Sequence, residues 1–576
     1  MSRLRRIVAW ARGRPGVLAI VALGIAWGTT MHSMGWAQLA HFAEVRALAD
    51  GEKTVDRWHW ETGDVAWTDG HYYSVKSPGT AALSVPLYLA IDSWGRGAAS
   101  AAAENARQAH HPRWTPNEQF PWSQYGYSEE RAQRVESRIE ANAPVVWGLT
   151  LLAAVLPSVL LLLMVRSVSE RFEPGYGTAA AITLGLGTIL MVFAAEFFSH
   201  AVSATLAFAA FAVLMRERAG PPRLPLVASA GLLAGLAITF EYQVGLVGVV
   251  LCVYAAWRSS PAKRVLAYAA GGLAGALPVL AYNWWTLGSP LQFAYGDAVA
   301  RIGTSGHEEV GLNDDGFFGI TFPRPDAAVD LLIGGRGLLV LTPVLAFAAI
   351  GVVLMHRRGH RAEALTIGGV ALAYFLYDSA YWQPYGGGTP GPRFLIPMLP
   401  FLALGLAFAY RRLPATTLAL AIPSALCMLA ASLTYPLIGE QGSGLWVDWL
   451  ADSRLEHTLA TVFGVHANWL AATLPLLFVA GAVALAVAAT PRTVVVERDL
   501  TLAAGALAAW VVVGILGPSV SADPTPTLDD PSALWLFGGG AAASAVVLAL
   551  LRRRARREPA EPTAVRGRFA FGDQSS

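Results

Sequence analysis

Between residues 69 and 79 the chain reads DGHYYSVKSPG. An acid, a histidine, two tyrosines, two serines and a lysine stand together just ahead of a Pro-Gly break. Asp69 can take up a proton, Lys76 can hold an anion, and His71 and Tyr72 can bond a polar ligand. Further on, GGGTPGPR at 386–393 forms a stiff loop whose glycines and prolines deliver one guanidinium, Arg393. Arginine suits two-pronged recognition of phosphate better than lysine does. Other polar groups interrupt apolar stretches: Glu44, Glu196 with His200, Glu241, Tyr282 with Asn283, Arg336, and Asp378 with Tyr381. Acids alone would suit a cation and arginines alone an anion. Both together suit a reaction in which a hydroxyl loses a proton to a carboxylate while cationic groups stabilise a departing phosphate. Phosphate-linked glycosyl transfer makes that pair of demands.

The elements that position these groups follow from composition. Of 576 residues, 54% are hydrophobic and 14% charged, and the mean hydropathy is +0.45. That places the chain among polytopic membrane proteins. Apolar segments of membrane-spanning length recur near 15–36, 143–165, 176–195, 199–215, 224–240, 242–257, 265–285, 335–355, 364–382, 394–410, 414–435, 469–489, 500–517 and 533–551. The expected fold is therefore all-α, a transmembrane bundle of about fourteen helices with a large first extracytoplasmic loop, 37–142. The first run, behind Arg3, Arg5, Arg6, Arg12 and Arg14, is read as an uncleaved helix. The apolar piece 77–94 is read as lying at the interface, because spanning would invert every later loop.

Alternate short loops are basic, carrying Arg166 and Arg171, Arg216 and Arg218, Arg258 and Arg264, Arg357 and Arg358, Arg411 and Arg412, Arg492 and Arg498. The positive-inside rule then puts both termini in the cytoplasm. The long stretches 37–142, 286–334, 383–393 and 436–468 fall outside, and the polar groups collect on that face. Polar residues at the mouths of membrane helices are functional candidates. Each also has a plainer reading. Glu241 suits a solvated turn, Glu196 and His200 a helix end, and Asp69 or Asp64 an Asp-Gly or Gly-Asp turn. Trp58, Trp60, Trp67, Tyr72 and Tyr73 suit an interfacial aromatic belt, and Asp314 and Asp315 a solvated loop. Cys252 and Cys427 lie in apolar runs and form neither a disulfide framework nor a metal site. The last 25 residues read as a disordered tail. The chain has no P-loop and no dinucleotide fingerprint; no cofactor, no metal-ligating residues and no nucleic-acid partner are expected, and the sequence does not set whether a divalent metal is required.

The segments 61–79, EFFSHA at 196–201, FEY at 240–242, YNWWTLGSPLQFAYG at 282–296, GGRGLLVLTPVL at 334–345 and GGGTPGPRFLIPMLPFLALG at 386–405 carry a resemblance. In order and spacing they resemble the GT-C superfamily of polytopic glycosyltransferases. Within it they are similar to bacterial relatives of the protein O-mannosyltransferases and the aminoarabinose transferases. The resemblance implies a catalytic module over 1–410, further membrane helices over 411–551 and a cytoplasmic tail over 552–576. It implies a polyprenyl-phosphate sugar as donor, no separate cofactor, and a glycan, lipid or protein acceptor outside a bacterial inner membrane. The family keeps its catalytic acid in the first outer loop, so Glu44, Asp69 and Asp64 are the candidates here, Glu44 first by position. Lys76, in Lys-Ser-Pro, together with Arg393, Arg336 and His200, would hold the donor phosphate. Glu241, Tyr282, Asn283, His71 and Tyr72 would contact substrate. A transporter or flippase for a polyprenyl-linked or anionic solute is the alternative from another class, and a glycan-binding scaffold is a third.

Overall fold

The computed structural model describes residues 14–109, 127–300, 309–439, 441–492, 495–522 and 527–557. Arg3, Arg5, Arg6 and Arg12, and the tail beyond 557, lie outside them. Each of the fourteen apolar segments carries a helix. Among the described residues, eight helices are long and apolar enough to cross a membrane, nine if a bent pair counts as one span. Four shorter apolar helices accompany them: Pro15–Gly28, Gly177–Leu186, Leu224–Ile238 and Tyr242–Ala256. The only sheet among the described residues is three two-stranded pairs. The molecule is a polytopic helical membrane protein.

Three segments depart from simple spans, each for a local reason. The first helix stops at Gly28 rather than near 36. Thr29 and Thr30 donate their hydroxyls to the Ala26 carbonyl at 3.0 and 3.1 Å, and residues 30–31 then pair with His457 and Thr458. A second helix, Trp36–Ala49, follows and carries Glu44. The run 176–195 breaks at Gly187 before the short turn Leu190–Phe193. The run 335–355 holds a 90° bend between Pro325–Leu341 and Val344–Arg357. Pro343 stands at that bend, where its missing N–H and fixed φ halt the incoming helix.

Lipid offers helices no hydrophobic gain for associating, so close backbone approach does that work. Gly231, Gly235, Gly271 and Gly275 bring Leu224–Ile238 against Pro261–Leu287, each facing backbone of the other helix where a Cβ would collide. Gly351 and Gly405 do the same between Val344–Arg357 and Leu399–Arg412. At one end of the bundle buried carboxylates tie down the basic loops. Glu217 pairs with Arg264 at 2.6 Å, and Glu173 lies between Arg358 and Arg411. At the other end the long loops fold over the helix mouths. The hairpin Val65–Thr68 and His71–Ser74 is bridged to Ala298, and Ile320 is bridged to Tyr381.

Candidate active site

Two cavities meet under these loops. One, of about 410 Å³, is lined by polar and aromatic groups including Gln38, Asp64, Asn313, Trp382 and the glycine loop at 386–388. The other, of about 660 Å³, is mostly apolar, with Ile238, Leu246, Phe317, Phe318 and Leu376 in its walls. They share Val75, Lys76, Phe198, Tyr295, Arg393 and Phe394. Lys76 and Arg393 are thus the cations at the junction.

Local packing sets each of these groups. Gly63 lies flat on the Trp36 indole, where a Cβ would come within 2.5 Å of the ring. Thr62 donates its hydroxyl to the Trp36 carbonyl at 2.7 Å and accepts the Asp64 N–H at 3.0 Å. Asp64 is thereby turned into the polar cavity, and its carboxylate meets Lys76 Nζ at 2.6 Å. Lys76 is positioned from behind by Gly79, whose N–H donates to the Thr239 carbonyl at 2.8 Å. A Cβ there would come within 2.6 Å of that oxygen. Burial would raise the Asp64 carboxyl, but Lys76 and then Arg393 hold it below its usual range. Burial also pulls the Lys76 ammonium down, against the opposing pull of Asp64.

Arg393 opens the segment after the glycine loop, where Gly386, Gly387 and Gly391 take φ of 72°, 112° and 152°. Its guanidinium lies 5.3 Å from the ring centres of Phe198 and Phe394. Among the described residues no carboxylate pairs with it, and its Nε is buried without a hydrogen-bond partner. A cation so placed on a cavity wall is available to an anionic ligand. Arg336 has a different task from the one its sequence suggested, for it lines neither cavity. It donates to the carbonyls of Gly387 at 2.9 Å and Thr389 at 3.4 Å and lies 4.1 Å above the Tyr385 ring. It props the loop that presents Arg393.

The three acids separate cleanly. Asp69 sits at the exposed tip of the hairpin with φ 52°, followed by Gly70 at 84°, the Asp-Gly of a tight hairpin turn. Glu44, expected as the base, is buried and lines neither cavity, and one of its oxygens accepts from the Tyr282 hydroxyl at 2.7 Å. Burial pushes its carboxyl up to about 8, against hydrogen bonds from Tyr282 and Ser74. Asp64 alone of the three faces the polar cavity.

The raised Glu44 carboxyl has a testable consequence. Between about pH 4.5 and about 8 the folded chain keeps a proton that the unfolded chain has released, so this group lowers stability as pH rises through that window. Glu44→Gln is therefore expected to gain melting temperature over the parent chain progressively from pH 5 to pH 8. Parallel melting curves across that range would contradict the assignment.

His200 and Glu241 line the apolar cavity as one cluster. The His200 ring lies against the Glu241 carboxylate, which also accepts from Ser199 at 3.1 Å and Ser203 at 2.7 Å. Glu241 is thus a buried, bonded group rather than a solvated turn, and His200 is matched to an acid rather than to a phosphate. Glu196 does not pair with His200; it accepts from the Gln38 amide at 2.5 Å. Four expected substrate contacts lie elsewhere. Tyr282 supports Glu44, and Asn283 donates to the Pro290 carbonyl at 3.5 Å. His71 pairs with Asp56 at the surface. Tyr72 stacks on His59 in a small core with Trp58 and Trp67.

The cavities also enlist Asn313 and Tyr295, which carry no site role in the sequence reading, beside Tyr381, which does. Asn313 donates to the Tyr295 carbonyl at 3.0 Å and accepts from Trp382 Nε1 at 2.6 Å, and the Tyr295 and Tyr381 hydroxyls bond one another. Beside Asp314 and Asp315, Asn313 read as part of a solvated loop. A clue to its burial was the aromatic sequence that follows, Phe317-Phe318. No group of three His, Cys, Asp or Glu side chains among the described residues is placed to hold a metal ion.

Fold and site together define a multi-pass membrane protein with a charged junction between a polar and an apolar cavity at one end of its bundle. No protein-family model matches the chain, and no curated protein does. Two solved structures are similar to it. ArnT from Cupriavidus metallidurans in the apo state is 14% identical with a TM-score of 0.45, covering 93% of this chain and 85% of that one. The same protein bound to undecaprenyl phosphate is 13% identical with a TM-score of 0.44, covering 93% and 87%. At such identity the chemistry has to be argued from the residues themselves.

Proposed function

We propose that this chain is a glycosyltransferase that moves a sugar from a polyprenyl-phosphate donor to a hydroxyl of a cell-envelope acceptor. The observation that carries this reading is the junction: an apolar and a polar cavity share Lys76 and Arg393, and Asp64 faces the polar side. An isoprenoid tail needs the first cavity, a hydroxylated acceptor the second, and a phosphate the cations between them.

In the reaction, the bond from the anomeric carbon to the phosphate oxygen breaks as the acceptor oxygen bonds that carbon. The acceptor proton passes to Asp64, and the negative charge left on the polyprenyl phosphate is stabilised by Arg393 and Lys76. The basic loops support a bacterial inner-membrane protein with both termini in the cytoplasm and this site outside. An outward-facing site has no nucleotide sugars, which favours a lipid-borne donor.

The full chain, reconstituted in liposomes with radiolabelled polyprenyl-phosphate sugars and a crude envelope fraction, is expected to transfer label to the acceptor. Movement of the labelled lipid across the bilayer without transfer would replace the enzyme with a flippase.

A further inference from the structure

At the opposite end of the bundle lies a third cavity, of about 680 Å³, that the reaction does not use. The helix Arg393–Arg412 shows the separation: Arg393 stands at its first residue, while Tyr410, near its last turn, lines this cleft. Ile182, Leu186, Leu418, Ile422, Val483 and Val487 form most of its apolar wall. Along the helix Pro414–Leu433 the lining runs from Pro414 to Ala425. That is a depth of about 17 Å at 1.5 Å per residue, close to half of the roughly 30 Å hydrocarbon layer.

Its charges are confined to one end. Arg492 and Arg554 stand there with Glu497, and Glu497 is already matched by Arg552 at 2.5 Å. Along the wall the Thr183 and Tyr410 hydroxyls bond each other at 2.7 Å and Thr490 donates its hydroxyl to the Ala486 carbonyl at 2.8 Å, so these groups ask nothing of a ligand. A slot one leaflet deep, apolar along its length and basic at its mouth, has the polarity of a single anionic phospholipid.

We propose that this cleft binds an anionic diacyl phospholipid, with an acyl chain along the apolar wall and the phosphate held by Arg492 and Arg554. The charge pattern selects this occupant, since a zwitterionic lipid would add a cationic head group beside two guanidiniums. By the positive-inside pattern the lipid belongs to the cytoplasmic leaflet.

Native mass spectrometry of the full-length protein, delipidated and exposed to phosphatidylglycerol or phosphatidylcholine of equal chain length, tests this. Phosphatidylglycerol is expected to be retained at least about five-fold better. In R492Q/R554Q, whose changes fall on exposed side chains, the preference should vanish. Ala425→Phe, which fills the slot, should lower retention of both lipids. Equal retention by the parent chain, or a preference that survives R492Q/R554Q, would overturn the proposal. So would a rise in phosphatidylglycerol retention on deleting 558–576, which would make the tail the occupant.

Discussion

Asp64→Asn is expected to lower turnover by on the order of 10²–10⁴-fold, the contribution of a positioned base, without weakening use of the donor. The asymmetry comes from the Asp64–Lys76 pair, 2.6 Å apart. Removing the carboxylate charge takes away the proton acceptor but frees the ammonium for the donor phosphate, so KM for the donor should hold or fall while kcat drops. Burial opposes ionisation of Asp64, yet Lys76 and Arg393 keep its carboxyl low. The acidic limb of the parent's pH profile should therefore lie below the ordinary carboxylate range. Glu44→Gln, changing a group behind the cavity wall, should keep turnover near that of the parent chain. The base assignment fails if Asp64→Asn retains turnover within a few-fold, or if Glu44→Gln is the variant that loses it.

Arg393→Ala should cost about 1.5–3 kcal/mol of donor-phosphate recognition, the range for hydrogen bonds to charged groups. That is roughly a 10- to 150-fold loss in kcat/KM for the donor. Arg393→Lys should recover only part of it, because a single ammonium lacks the planar fork. Folding should survive, since among the described residues no carboxylate forms an ion pair with this guanidinium. Steady-state kinetics with varied donor and fixed acceptor provide the measurement. Unchanged donor kinetics in both variants would remove Arg393 from the phosphate site.

The helices were legible because apolar length is a strong and local signal. Their breaks were less so: the stop at Gly28 depends on a pairing with His457 and Thr458 more than 400 residues away. That Arg393 would be presented at a cavity could be read from its glycine and proline neighbours. Arg336 follows two glycines as well, but its partners are the carbonyls of Gly387 and Thr389, about fifty residues on. Nothing local distinguishes a guanidinium that faces a cavity from one that supports a loop. Which acid faces the polar cavity was not legible for a similar reason. Distance along the chain from the first helix favoured Glu44, whereas orientation is decided by Gly63 lying on Trp36, and one apolar contact turns Asp64 to the cavity.

The shared wall between the cavities bears on stereochemistry. Reactants in adjoining chambers do not exclude each other, so donor and acceptor are able to occupy their places at the same moment. A double displacement instead needs a second carboxylate about 5 Å from the first to carry the sugar covalently. Asp64 is the one carboxylate among the described residues lining the polar chamber, and Glu241 belongs to the apolar one and is bonded to two serines. Under the proposed reaction the acceptor oxygen attacks the face opposite the departing phosphate, and the new glycosidic bond carries the inverted anomeric configuration.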